Sequence, residues 1–107
     1  MKADLLQQEF APRCVPHAGG PPLLLGANDA LDLVDRASEE GVPVVRVHAL
    51  HVAGGGSADP ASPAADFSAA VADGHGCWVD AQSFIRARSA RGVAFDVALG
   101  GDPLEAV

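Results

Sequence analysis

The chain has 107 residues, 49% of them hydrophobic, and carries 14 acidic against 7 basic side chains for a formal net charge of −7. That balance argues against nucleic acid, whose binding depends on Lys and Arg neutralising phosphates, and against anionic membrane surfaces. The length fits one domain spanning residues 1–107, with a small core and a net stability of about 5–10 kcal/mol.

No apolar run approaches a membrane span, and residues 1–20 lack the order of a signal peptide, so the expectation is a cytoplasmic protein. The bias towards Ala, Gly, Asp and Arg reads as a bacterial gene of high GC content. Cys14 and Cys77 are far apart and form no CxxC pair, which fits reduced thiols better than a disulfide framework.

In chain order, Lys2–Phe10 predicts a short helix with Leu5, Leu6 and Phe10 on one side, stopped by Pro12. The Pro- and Gly-rich remainder of residues 1–22 predicts loop. Leu23–Leu25 predicts a buried strand. A helix follows, with Asn28 as its cap, Ala27, Ala30, Leu31, Val34 and Ala37 as its apolar stripe, and Gly41 as its left-handed terminator.

Val42–Val52 is the longest β-rich run. Its stiff, branched valines favour a pleated surface, and Pro43 can occupy only its start or an edge. Val45, Val47 and Ala49 fall on one face, and Arg46 and His48 on the other. Strand, helix and strand joined this closely predict a parallel βαβ unit.

Residues 54–63 predict a flexible internal loop. Ser62 and Pro63 then start a helix that ends at Gly74. Another helix runs from Asp80 to Arg91, with Val79 and Phe84 placed as a hydrophobic staple. Val93–Leu99 alternates without fault, predicting a strand near an edge, and residues 100–107 are a tail. The expected fold is therefore α/β: a three-stranded sheet with a parallel βαβ core and helices packed on it. The alternative is α+β, with the last strand antiparallel.

Three chemistries compete for the function. The leading one is a non-catalytic, acidic protein-binding module, immunity- or antitoxin-like, that takes a basic protein partner. Asp29, Asp32, Asp35 and Glu39 on the long helix face a single base there, Arg36, and complementary charge raises association rate and specificity. Arg46 and His48 share a strand face, and Trp78 belongs to a residue type enriched at interfaces.

The second chemistry is a zinc-stabilised domain in which Cys14, His17, His75 and Cys77 close a tetrahedral site. The third is a small thiol enzyme with His75 as base and Cys77 as nucleophile, activated by the nearby helix N-terminus. No third residue that would orient such a pair can be named. Solvated surface charge and a packed thiol account for the same residues without any function. Gly54–Gly56 has no lysine and no following helix start, so it predicts linker rather than a phosphate loop.

Overall fold

The computed structural model describes residues 2–13, 24–52, 58–60 and 64–100. Its elements are α1 (Lys2–Phe10), a 3-10 turn (Ala11–Arg13), β1 (Leu24–Gly26), α2 (Ala27–Glu40), β2 (Val44–Val52), β3 (Ala58–Pro60), β4 (Ala65–Asp66), α3 (Ser68–Ala72), α4 (Trp78–Arg88) and β5 (Val93–Leu99).

Every strand pairing among the described residues is antiparallel. The order is β1-β5-β2, with β3 and β4 sharing the far side of β2. This overturns the three-stranded parallel βαβ core, and the fold is α+β. β1 and β2 do point the same way, but β5 lies between them and pairs with both. β5 is therefore a middle strand, not one near an edge. Its small alanines explain the misreading, since Ala94 is buried although it faces away from Phe95 and Val97.

β2 and β5 hold the molecule together along a register that sets Val47 opposite Val97, Ala49 opposite Phe95 and His48 opposite Asp96. Val44 pairs with Leu99 and Arg46 with Ala98, so Val45 is an extra residue, a β-bulge. The bulge changes the expected faces. Val44 joins Val47 and Ala49 in the core, while Val45 is only half-buried and its carbonyl accepts the Phe67 N–H at 2.7 Å.

The helices α1, α2 and α4 cover one sheet face. Leu6, Phe10, Leu25, Ala30, Leu33, Val34, Ile85 and Phe95 are among the buried residues there. Leu24, Leu50 and Ala94 form a second, smaller cluster on the opposite face.

Helix boundaries follow local chemistry, with three corrections. α2 starts at Ala27 with Gly26 at its cap, so Asn28 lies inside the first turn. It ends at Gly41 (φ 73°), whose N–H reaches the Ala37 and Ser38 carbonyls. The helix expected from Ser62 shrinks to Ser68–Ala72, because Ala65 and Asp66 pair with β2 instead. Ser62 and Pro63 lie outside the described residues. α4 begins at Trp78, not Asp80, and stops at Arg88, where Ser89 turns extended. Val79 is 74% exposed, so the expected staple does not form.

Candidate functional site

The sequence-derived binding residues fall in three places. Asp29, Asp32, Asp35 and Glu39 lie on α2, the helix against which the N-terminal arm (α1 and the 3-10 turn) packs. Arg46 and His48 lie on the sheet face away from the helices. Trp78 lies at the start of α4.

On α2, the single base, Arg36, is engaged by a contact from the arm. The Arg36 guanidinium donates to both Glu9 carboxylate oxygens, at 3.1 and 3.2 Å, and lies 3.6 Å from Glu39. These contacts hold the Glu9 carboxyl below its ordinary range. Arg13 donates to Asp29 at 3.4 Å and to Asp32 at 3.2 Å, with its guanidinium 4.8 Å from the centre of the Phe10 ring. What positions these cations is the burial of Leu6 and Phe10, 3% and 1% exposed, against α2. Glu9, Phe10, Arg13, Asp32, Asp35 and Arg36 line a notch of about 160 Å³.

On the far sheet face, Arg46 lies 3.6 Å from Asp96, which stands directly across from His48. Asp66 is Arg46's neighbour on the other side, across β2–β4. The Asp96 side chain is only 15% exposed, and burial raises its pKa against the opposing pull of Arg46 and His48. The Asp66 carboxyl is held low, chiefly by its hydrogen bonds with Ser68. Sequence reasoning missed Asp96 and Asp66. The available signal was Asp96 as the one polar residue of an otherwise apolar strand.

This row makes a pH prediction. A carboxyl with a raised folded pKa contributes stability that is present at acid pH and is lost as pH rises through the raised value. Asp96→Asn, which stays neutral throughout, should therefore melt above wild type at neutral pH. The gap should close as pH falls through the carboxylate range. Arg46→Leu should cost wild type more than it costs the Asp96→Asn variant, because it strands a part-buried charge only in the former. Thermal melts of the four proteins across pH check this; equal Arg46 costs in both backgrounds would show the pair to be uncoupled.

At α4, Cys77 adopts a left-handed conformation (φ 62°), the only non-glycine residue with positive φ among the described residues. Its thiol is buried and lies 3.9 Å from the His75 carbonyl oxygen. Burial, with Asp80 adding to it, pushes the thiol pKa up, opposite to the activation a nucleophile needs. The His75 side chain is exposed. An open hollow of about 440 Å³ lies beside these residues, bounded by Ala70, Trp78 and Asp80.

Trp78 is tied into the fold. Its indole N–H donates to the Val42 carbonyl at 2.7 Å, and its ring fills the space that a Cβ at Gly76 would need. Of the four possible zinc ligands, Cys14 and His17 lie outside the described residues. Among the described residues, no three His, Cys, Asp or Glu side chains gather as ligands. No helix among them is long and apolar enough to cross a membrane.

Comparison of the chain with family models, curated proteins and solved structures finds no match.

Proposed function

We propose that this is a non-catalytic protein-binding module, cytoplasmic and bacterial, whose α1–α2 face takes a basic protein surface. The observation that carries the reading is the charge left on that face after internal pairing. Glu9, Asp29, Asp32, Asp35, Glu39 and Glu40 stand against Arg13 and Arg36, six carboxylates to two guanidiniums, an excess of four of the chain's −7.

The placement is also locally unfavourable. Asp35, Glu39 and Glu40 lie in the C-terminal half of α2, whose last turn holds no base, where the helix dipole favours cations. Residues that weaken their own helix are the kind kept for a purpose other than folding. Neutralisation of a basic toxin, as an immunity protein or antitoxin does, is one concrete form of this role. Burial of the Cys77 thiol weighs against the enzyme reading.

The test is affinity capture with wild-type bait and with an Asp35→Lys/Glu39→Lys variant. The lysines suit the helix end, so the variant should fold. Wild type should retain a basic partner at low salt, and the variant should bind it about tenfold more weakly or worse. Equal capture by both baits, or affinity indifferent to salt, would remove this reading.

A further inference from the structure

Arg46 stands between two carboxylates on neighbouring strands. Asp66 is its direct partner across β2–β4, while Asp96, diagonal to it on β5, is the one its guanidinium contacts, at 3.6 Å. All three share the sheet face away from the helices with His48, which pairs directly with Asp96. We propose that Arg46 is a two-position latch: it ties β2 to β5 through Asp96 while that carboxyl is charged, and passes to Asp66 on β4 when Asp96 takes up a proton.

The surroundings of the two carboxyls decide which is neutralised first. Asp96 is 15% exposed, with Leu24 opposite it on β1 and Ala94 and Ala98 beside it on its own strand. Among the described residues, the charged or titratable groups facing it from the paired strands are Arg46 and His48 of β2. Burial disfavours a carboxylate, and here it outweighs the pull of both. Asp66 is exposed and accepts the Ser68 backbone N–H at 2.9 Å, which favours its charged form. As pH falls, Asp96 is therefore neutral while Asp66 is still ionised.

The move is short. Directly opposed side chains start about 5 Å apart, within an arginine's reach, and a guanidinium prefers a carboxylate to a neutral acceptor. Arg46 is half-exposed, so nothing buried has to open. The consequence falls on β4, a two-residue strand that leads into α3. Its junction is fastened by the Phe67 N–H to the Val45 carbonyl, next to Arg46. Acid pH thus tightens β4 on β2 and releases the ion pair to β5. The latch does not depend on the α1–α2 face.

The test follows the full chain by NMR across the acid range. In wild type, the Arg46 side-chain nitrogens should shift with the same midpoint as the Asp96 carboxyl carbon. Below it, nuclear Overhauser contacts from Arg46 to Asp66 should replace those to Asp96. Asp96→Asn, neutral throughout, should show the Arg46–Asp66 contact already at neutral pH. There its Phe67 amide should exchange with solvent about two- to fivefold more slowly than in wild type, the range of one exposed ion pair. Adding Asp66→Asn, whose side chain still accepts the Ser68 N–H, should cancel that gain. His48→Gln should leave the transfer in place.

An Arg46 midpoint different from that of Asp96, or no Arg46–Asp66 contact in Asp96→Asn, overturns the latch. So does slowed Phe67 exchange that survives in the double variant, or a transfer that disappears with His48.

Discussion

Val47→Asp should abolish cooperative folding. Val47 is fully buried near the middle of β2, opposite Val97 on β5 and Ala65 on β4, with Val44 and Ala49 beside it on the helix-covered face. Removing the valine forfeits about 2 kcal/mol of apolar burial. Placing a carboxylate there adds a desolvation cost of several kcal/mol, because the position is fully buried within the apolar core cluster. The sum is comparable with the whole stability of a domain this size, about 5–10 kcal/mol.

A thermal melt followed by far-UV circular dichroism should show no sigmoidal transition. His48→Ala, one residue on but pointing to the other face, should melt within a few degrees of wild type. A Val47→Asp protein with a normal transition would mean that β2 presents the opposite face to the core.

The elements were more legible than their arrangement. Lys2–Phe10 and Val93–Leu99 appear with the predicted limits, because strict periodicity and a hard stop (Pro12, Gly100) coincide there. Direction and neighbours were not legible. A strand, a helix and a second strand with short joints suggest a parallel pair, and nothing local in Val93–Leu99 announces that it inserts between the two.

The bulge at Val45 was hidden for a related reason. Four valines near the start of the run fit either phase, and only pairing with Leu99 and Ala98 decides which valine is extra. The acidic face was readable as charge on α2, but its partners were not. Arg13 and Glu9 come from an arm 16 to 27 residues away in sequence, beyond any helical spacing rule. Cys77 misled because closeness to a helix N-terminus suggests a low thiol pKa, whereas burial beside Asp80 raises it.

Trp78→Ala should destabilise the domain by about 3 kcal/mol rather than merely weaken a partner contact. The ring packs at the edge of the main core and covers Gly76, while Gly76's own carbonyl accepts the Val44 N–H at 3.0 Å. The ring thus clamps the turn before α4 onto the start of β2. Truncation removes that packing and leaves the Val42 carbonyl without its indole donor, and aromatic-to-alanine changes in cores cost about 3–5 kcal/mol. The half-buried position puts Trp78 at the lower end.

Trp78→Phe separates the two contributions. It keeps most of the ring and loses the donor, so it should cost about 1–2 kcal/mol. Gly76→Ala should act from the other side, since its Cβ overlaps the ring and forces the indole off the Val42 carbonyl. Urea titrations of the three variants measure these costs, and because Trp78 is the only tryptophan, its fluorescence reports the Gly76→Ala displacement directly. If Trp78→Ala keeps wild-type stability and instead abolishes capture of the basic partner, the ring belongs to the interface and not to the clamp.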